Sequence, residues 1–259
     1  MSLPPGPAVV RVPVTTLWVA PERPRPVDAP ILADVPDARR WLADLDAHRR
    51  DDESGDGRRG LHGRVGSQLV AGEPVRVLST AGAADAGGWA QVLCPWQPAA
   101  HGAGGYPGWV PAAHLAPAPA GLGAATPPVT ADAAGRTSEH PALRLTREHL
   151  GLRCLWGGLS PLGLDCSGLV HLTWRRLGVV VPRDAHAQAA AAEPLAAAEV
   201  APGDLYFFGR PHRPIHHVGV VVSPGRMLHA SETRGMVVEE DLTADRLATL
   251  VAAGRLPTS

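Results

Sequence analysis

Residues 154–170 read CLWGGLSPLGLDCSGLV, and one cysteine of this stretch stands where a helix is expected to begin. Asp165 and Cys166 form a polar turn directly before an apolar segment with helical spacing, so the sequence predicts a helix that starts at Cys166. Unpaired backbone N–H groups and the positive end of the helix dipole favour a thiolate there. Cys166 is therefore a candidate nucleophile, with a buried, unreactive thiol as the alternative. Cys94 and Cys154 lack this setting.

Two histidines that lie far from Cys166 in the sequence are candidates for the base. His217 opens a predicted strand, and His229 lies in the next one. Histidines on neighbouring antiparallel strands can face the same side, so that one accepts the thiol proton and the other fixes its tautomer. His216 is expected on the opposite, solvent-facing side of the strand. A zinc site of Cys154, Cys166 and His217 would lack the tight ligand spacing of structural zinc sites, and no metal or cofactor is predicted.

The composition excludes several other classes of function. The 259 residues carry a formal net charge of −1 without a basic stripe, so nucleic-acid binding is not expected. No apolar run is long enough to predict a membrane segment. Lys and Asn do not occur, which excludes a lysine Schiff base, a P-loop lysine and a Cys/His/Asn catalytic set. Three cysteines are too few for a disulfide scaffold and no signal peptide is recognised, so we expect a cytoplasmic protein.

The chain divides into two segments of different character. Short β-type runs separated by Gly-rich turns predict a small all-β domain over residues 1–117, with an inserted amphipathic helix at 37–50. Pro13 indicates an edge position for the first β-type run. An Ala/Pro/Gly-rich linker follows at 118–137. In residues 138–259 helices precede a series of antiparallel strands, which predicts an α+β fold.

The ordered motifs CLWGGLSPLGLDCSGLV, VPRDAHAQ, PGDLYFF, HHVGVVV and MLHAS resemble those of the NlpC-type cysteine peptidases, the NlpC and p-sixty superfamily. The resemblance implies a papain-like α+β catalytic domain that cuts peptidoglycan stem peptides without a cofactor. It also implies that Cys166 is the nucleophile, His217 the general base and His229 the third, orienting residue. Attack of the thiolate on an amide carbonyl and hydrolysis of an acyl-enzyme would follow.

The N-terminal motifs extend the resemblance. SQLVAGEPVRVL, WAQVLCPWQ and GYPGWVP resemble the bacterial SH3-like domain of γ-D-glutamyl-L-diamino acid endopeptidases, which act on murein peptides with a free N-terminal L-Ala. The L-Ala ammonium needs carboxylate partners. Asp184 matches that position, with Glu73 and Tyr106 as contributors from the SH3-like domain. The respective alternatives are a helix N-cap, an exposed turn residue and a packing aromatic. Further candidates for substrate binding are Asp165, Ser167 and Trp156.

Two positions depart from the family pattern. The family usually has Tyr where this chain has Cys154, and that phenol is expected to help form the oxyanion hole. Loss of one such donor lowers the rate by roughly 100-fold or more. Residue 185 is Ala where the family branch often has Ser. Two alternative functions follow, a thiol amidase or acyltransferase acting on another amide and a catalytically weak protein that binds peptidoglycan fragments. The oligomeric state is left open, with a monomer favoured.

Overall fold

A computed structural model describes residues 3–48, 55–82, 88–100, 104–119, 139–210 and 213–258. The described residues form two compact units. The first unit takes its residues from Met1–Trp96, Gly102–Thr126 and Trp156–Leu162. The second unit takes its residues from Gln97–His101, Pro127–Leu155 and Gly163–Ser259.

These units do not coincide with the segments expected from the sequence. Gln97–His101 precedes the predicted linker but belongs to the second unit, and Trp156–Leu162 follows that linker but belongs to the first. The predicted linker at 118–137 lies, apart from its first two residues, outside the described part of the chain.

The first unit is built on a seven-stranded antiparallel sheet. Its strands are β1 (Gly6–Val10), β2 (Val14–Trp18), β3 (Val65–Val70), β4 (Pro74–Ala81), β5 (Trp89–Cys94), β6 (Tyr106–Pro111) and β7 (Leu115–Pro117). Their order in the sheet is β3-β2-β6-β5-β4-β1-β7. Inward-facing side chains form the core, which includes Leu17, Leu69, Val75, Val92 and Val110. The predominantly β character of this segment matches the prediction, and its likeness to SH3 domains stays a prediction.

Pro13 separates two strands instead of marking a sheet edge. β1 ends at Val10 and β2 begins at Val14. β1 lies between β4 and β7, and β2, whose five residues are all buried, lies between β3 and β6. The predicted edge position is therefore wrong. Because proline has no N–H to donate to a neighbouring strand, it stands at the break between the two interior strands.

The helical insertion lies between β2 and β3 and contains α1 (Ala29–Leu32) and α2 (Ala38–Ala47). Asp37 caps α2 by accepting a hydrogen bond from the backbone N–H of Arg40 at 2.9 Å. The apolar face of α2 is buried, and Trp41 Nε1 donates to Asp28 Oδ1 at 2.8 Å. The helix predicted within 37–50 is confirmed: Asp37 caps it, and the apolar side chains that indicated it are buried on one face.

The segment Trp156–Leu162, which contains β8 (Leu159–Ser160), packs along β3 within the first unit. Trp156 Nε1 donates to the carbonyl oxygen of Val65 at 2.9 Å. Gln68 Oε1 accepts from Ser160 Oγ at 2.6 Å and from the N–H of Leu159 at 3.2 Å. Gln68 is almost completely buried, so these two hydrogen bonds satisfy its side-chain oxygen inside the unit.

The second unit has an α+β architecture, which confirms the predicted class. Its helices are α3 (Pro141–Arg147), α4 (Cys166–Arg176), α5 (Ala185–Ala191) and α6 (Ala244–Leu247). Its strands are β9 (Gly163–Leu164), β10 (Glu193–Leu195), β11 (Leu205–Phe208), β12 (His217–Ser223), β13 (Arg226–Ser231), β14 (Met236–Asp241) and β15 (Leu250–Arg255). Six of these strands form an antiparallel sheet in the order β10-β15-β11-β12-β13-β14.

The helix that begins at the candidate nucleophile rests on the centre of this sheet. α4 packs against β12 and β13, and α3 packs against α4. Their shared core includes Leu169, Trp174, Val218, Val220 and Leu228. None of the helices in the described part of the chain has the length and apolar character that a bilayer crossing requires.

Candidate active site

Cys166 is the first residue of α4, as its sequence context predicts. Asp165 is the N-cap, and its Oδ1 accepts a hydrogen bond from the N–H of Gly168 at 2.6 Å. The Cys166 sulfur lies next to the backbone N–H groups of Ser167 and Val218, which favour the thiolate. Burial and the nearby Asp165 carboxylate act in the opposite direction and raise the pKa of the thiol to about 12. The raised pKa favours the neutral thiol, so a reaction of this sulfur as a nucleophile would require a base.

The two predicted histidines meet side by side. His217 is the first residue of β12 and His229 lies in the adjacent β13. His217 Nε2 and His229 Nδ1 are 2.7 Å apart, and the two rings are nearly perpendicular. His216 is exposed, as predicted. The hydrogen bond occupies Nε2 of His217, so Nδ1 is the ring nitrogen left to accept a proton.

Both imidazoles are kept neutral by their surroundings. Burial lowers the pKa of His217 well below its ordinary 6.5, and the neighbouring His229 and Arg246 lower it further. Burial also lowers the pKa of His229 to about 4, although its hydrogen bond to Glu240 acts in the opposite direction. A neutral imidazole can accept a proton, so the pair is in the form that a general base requires at neutral pH.

Glu240 extends this arrangement and was missed by the sequence reasoning. Its Oε1 lies 2.9 Å from His229 Nε2, and its Oε2 accepts from Arg234 Nε at 3.2 Å. His229 pairs with Val238 across the β13–β14 ladder. Residues two apart on a strand share a face, so Glu240 lies on the same side as His229. The strand alternation around the motif MVVEED was the signal available for it.

Arg183, also missed, ties the start of α4 to the segment before α5. This fully buried guanidinium contacts Asp165 through Nη1–Oδ1 at 2.9 Å and Nη2–Oδ2 at 2.7 Å. Its Nη1 also donates to Ser167 Oγ at 3.0 Å. The predicted substrate-binding residues Asp165 and Ser167 thus flank Cys166 and share one cation. Their contact with substrate stays a prediction.

Two further buried side chains hold the same segment. Gln188 Nε2 donates to the carbonyl oxygens of Ser167 and Pro182 at 2.9 and 2.8 Å. His171, in the middle of α4, contacts the carbonyl oxygen of Val181 through Nδ1 at 2.8 Å. Burial lowers the pKa of His171 to about 3, with the charge of Arg183 as the next cause. A neutral His171 donates this hydrogen bond, which fixes the backbone directly before Arg183.

Asp184 occupies the N-cap position of α5, but its side chain makes no capping hydrogen bond to that helix. Asp184 therefore has the position of an N-cap, as the alternative interpretation expected, but its carboxylate does not cap the helix. The residue is half-buried and follows Arg183 in the sequence. Its predicted role in binding an ammonium group stays a prediction.

The predicted contributors from the N-terminal segment lie in the first unit. Glu73 is only 1% exposed, so its interpretation as an exposed turn residue is wrong, and its Oε2 accepts from the N–H of Val70 at 3.3 Å. Tyr106 begins β6, is half-buried, and packs its ring against Gly66, where a Cβ would lie 3.0 Å from Tyr106 Cε1. Their joint action with Asp184 stays a prediction.

Trp156, another predicted substrate-binding residue, is also placed in the first unit. Its ring stacks on His62 with centroids 3.9 Å apart, and 41% of its surface is exposed. The indole N–H is already used by Val65. Trp156 thus offers a fixed, half-exposed aromatic face and no free indole donor.

Cys154 is half-buried, and its backbone N–H donates to the carbonyl oxygen of Gly235 at 2.9 Å. The cysteine side chain is shorter than the tyrosine expected at this position, and its S–H group is a weaker hydrogen-bond donor than a phenolic O–H. Within the described ranges, the side chains of His, Cys, Asp and Glu form no cluster of three or more that is able to hold a metal ion.

Comparison with known proteins agrees with this arrangement. A family model described as the NlpC/P60 family matches residues 151–252. The chain is 30% identical over 274 residues to a gamma-D-glutamyl-L-lysine dipeptidyl-peptidase of Bacillus subtilis. The aligned region covers 85% of this chain and 88% of the relative. A protein of the same name from Bacillus cereus is 22% identical over 285 residues, covering 86% of this chain and 82% of the relative.

A solved structure shows the same fold. The crystal structure of an NlpC/P60 family protein from Bacillus cereus matches with a TM-score of 0.78 and 22% identity, and the match covers 96% of this chain and 99% of that chain. The likeness extends over nearly the whole length of both proteins. With a cysteine at a helix N-terminus, a pair of hydrogen-bonded histidines and these relatives, the chain belongs to the NlpC/P60 family of cysteine peptidases.

Proposed function

We propose that this protein hydrolyses the γ-D-glutamyl–L-diamino acid bond of murein peptides that carry a free N-terminal L-Ala. The observation that carries the proposal is the 30% identity, over 85% of the chain, to a relative named gamma-D-glutamyl-L-lysine dipeptidyl-peptidase. The backbone N–H of Val218, the residue after His217, lies next to the Cys166 sulfur, and the hydrogen-bonded histidine pair offers the base that such a reaction needs.

The first half of the reaction forms an acyl-enzyme. His217 Nδ1 takes the proton of the Cys166 thiol, and the sulfur attacks the γ-carbonyl carbon of the D-glutamyl residue. The carbonyl oxygen becomes an oxyanion next to the first turn of α4, where backbone N–H groups have no partner within the helix. The tetrahedral intermediate collapses, the C–N bond breaks, and the imidazolium gives its proton to the departing amine.

The second half regenerates the enzyme. The same imidazole takes a proton from water, and the hydroxide attacks the thioester carbonyl. The sulfur leaves as a thiolate and recovers its proton from His217. The products are L-Ala–γ-D-Glu and the diamino acid or the peptide that begins with it.

Selectivity for a free N-terminus is assigned to carboxylates. An ammonium group that leaves water needs a negative partner, since an unpaired buried charge is strongly unfavourable. We assign this role to Asp184, with Glu73 and Tyr106 as further contributors. The half-buried position of Asp184 supports its part in this assignment.

A peptide digest tests the proposal. The protein is incubated with L-Ala–γ-D-Glu–L-Lys, with the meso-diaminopimelate analogue and with the N-acetylated form of each, and products are separated by chromatography. We expect cleavage of the free peptides, little cleavage of the acetylated ones, and loss of cleavage in Cys166→Ala. Asp184→Asn should raise KM for the free peptides about 10-fold or more, the usual worth of a hydrogen bond between charged groups. Asp241→Asn, at an exposed carboxylate of the same unit, should not.

Other results would point to the alternative functions. Equal cleavage of free and acetylated peptides, with no effect of Asp184→Asn, would indicate a thiol amidase of broader substrate range. Binding of the peptides without turnover, unchanged after alkylation of Cys166, would indicate a binding protein. Equal cleavage by wild type and Cys166→Ala would overturn the proposal.

We also propose that the protein acts in the cytoplasm. Cys94, Cys154 and Cys166 are all free thiols. Unpaired cysteines persist most readily in a reducing compartment. Fractionation of the native host with an antibody against this chain tests the location, and recovery in the extracellular medium would contradict it.

A further inference from the structure

A chain of three side chains runs outward from His217, and its far end is a carboxylate. His217 Nε2 lies 2.7 Å from His229 Nδ1, and His229 Nε2 lies 2.9 Å from Glu240 Oε1. The outer oxygen, Glu240 Oε2, accepts from Arg234 Nε at 3.2 Å. The histidines are almost completely buried, whereas the Glu240 side chain is 25% exposed. The chain therefore connects the buried base to a charged group near the surface.

We propose that Glu240 is a positioning residue that fixes the tautomers of both histidines, so that His217 presents an unprotonated Nδ1 to the Cys166 thiol. The proposal rests on the proposed thiol chemistry of Cys166 and His217. It adds a fourth residue, and a definite assignment of ring protons, to that chemistry.

The assignment follows from what each atom is able to do. An ionised carboxylate only accepts hydrogen bonds, so the proton in the contact with Glu240 belongs to His229 Nε2. Neutral His229 then has a lone pair on Nδ1, and the proton in the contact between the rings belongs to His217 Nε2. Neutral His217 consequently has its lone pair on Nδ1. The opposite tautomer of either ring would place two protons or two lone pairs in one contact.

Glu240 is ionised under these conditions. Burial opposes ionisation, but the hydrogen bonds from His229 and Arg234 outweigh it and lower the pKa of the carboxyl group. Arg234 therefore has two effects, since it keeps Glu240 charged and occupies Oε2, which leaves Oε1 for His229.

The other charged groups near the histidines oppose protonation. Arg246 lowers the pKa of both rings, and His216 lowers that of His217. Glu240 is the acceptor that counteracts them at His229. When His217 holds the thiol proton, its positive charge is stabilised through His229 by this carboxylate. Glu240 thus acts on the base through His229 and does not touch the reacting atoms.

A spectroscopic experiment on the wild type tests the assignment without any substrate. Nitrogen-15 labelled histidine is incorporated, and the ring tautomers are read from long-range proton–nitrogen spectra at pH 7. The signals are assigned with His217→Ala and His229→Ala. We expect both rings as Nε2–H tautomers. An Nδ1–H tautomer of His229 in the wild type would overturn the proposal, whatever the peptide substrate turns out to be.

The substitution Glu240→Gln gives a second, sharper test. Arg234 donates to the outer oxygen, so the glutamine oxygen should face Arg234 and its NH₂ should face His229. That arrangement makes His229 Nε2 an acceptor and inverts both tautomers. We expect the Nδ1–H signals to appear, and alkylation of Cys166 by iodoacetamide at pH 7 to slow by roughly 10- to 100-fold, as activity falls when metal-bound histidines lose the carboxylate that orients them.

Glu239 supplies the matched control. It is the preceding residue of β14 and binds Arg147 and Arg226 instead of a histidine. Glu239→Gln should leave both the tautomers and the alkylation rate unchanged. Glu240→Asp, which keeps the charge, should recover part of the rate.

The kinetic readouts separate this proposal from the proposed function. With a cleaved peptide, Glu240→Gln should lower kcat with little change in KM, and should move the acid limb of the pH profile to lower pH because the imidazoles lose a negative partner. A fall in kcat with an unmoved acid limb and unchanged tautomers would show a merely structural role. Failure of every murein peptide, with the expected tautomers and alkylation rates, would overturn the substrate and leave the role of Glu240 standing.

Discussion

Arg183 and Asp165 are joined by two parallel contacts, at 2.9 and 2.7 Å, immediately before the residue that opens α4. The guanidinium is 1% exposed and the carboxylate 15%. Paired contacts of this geometry fix the orientation of both groups, which a single contact does not. The position of Cys166 thus depends on a side chain from a separate segment of the second unit.

Arg183→Met should destabilise the fold and impair catalysis together. It leaves the Asp165 carboxylate largely buried without its cation, which typically costs about 3–5 kcal/mol in the free energy of unfolding. Urea titration followed by circular dichroism measures that loss.

Arg183→Lys separates charge from geometry. A lysine keeps the cation but cannot make two parallel contacts, so kcat/KM should fall more than stability does. Arg176→Met is the control, since Arg176 pairs at the surface with Glu148 and should contribute about 1 kcal/mol or less. Equal effects of Arg183→Met and Arg176→Met would contradict this account.

The acid limb of kcat/KM should lie clearly below pH 6.5. Burial lowers the pKa of His217 well below that value, so the base stays neutral as the pH falls through 6.5. Activity is lost only when the pH approaches the lowered pKa. Initial rates at saturating and subsaturating peptide between pH 4 and 8 measure the limb, and a midpoint near 6.5 would contradict the buried environment of this ring.

The stability of the protein should fall as the pH drops from about 6.5 to 4. The pKa of His171 is lowered to about 3 and that of His229 to about 4, while unfolded histidines titrate near 6.5. The unfolded state therefore binds more protons in this window, and each such histidine removes about 1.4 kcal/mol per pH unit.

His171→Gln isolates one contribution to this trend. The variant removes a titrating group from the interior, so its free energy of unfolding should depend less steeply on pH between 6.5 and 4. Its absolute stability at pH 7 should fall because the contact with Val181 is altered. An unchanged pH dependence would show that His171 titrates normally in the folded protein.

Cys154→Tyr should raise kcat. The substitution supplies the phenolic O–H that the sequence resemblance leads us to expect at this position, and one oxyanion-hole donor is worth roughly 100-fold in rate. Cys154→Phe is the matched control, because it adds the ring without the hydroxyl. A rise in kcat in both variants would point to packing, and a rise in neither would show that another donor already serves the oxyanion.

The sequence was sufficient for the parts of the site that rest on local rules. A cap residue followed by helical spacing located the start of α4, and strand alternation put His217 and His229 on one face. Arg183 and Glu240 were missed because their partners, Asp165 and His229, lie on other elements of the fold, and the sequence does not show which side chains meet. A buried arginine and an exposed one look alike in a string of letters, and only the packed fold shows which carboxylate each one meets.

The domain boundaries were harder for a related reason. Composition predicts a linker at 118–137, but it cannot show that Trp156 and Ser160, which follow that stretch, are hydrogen-bonded to β3. The edge position predicted from Pro13 was wrong because the missing N–H of a proline is tolerated at a break between two interior strands as well as at a sheet edge.

The interleaving of the two units has a consequence for the modularity of this polypeptide. Severing the chain in the Ala/Pro/Gly-rich stretch would leave one fragment without Trp156–Leu162 and the other without Gln97–His101. The buried side-chain oxygen of Gln68 would lose two hydrogen bonds, and the N–H of Arg183 would lose its acceptor, the carbonyl oxygen of Pro98. Recombination at this stretch would therefore exchange incomplete halves, so we expect neither fragment to be a self-sufficient module.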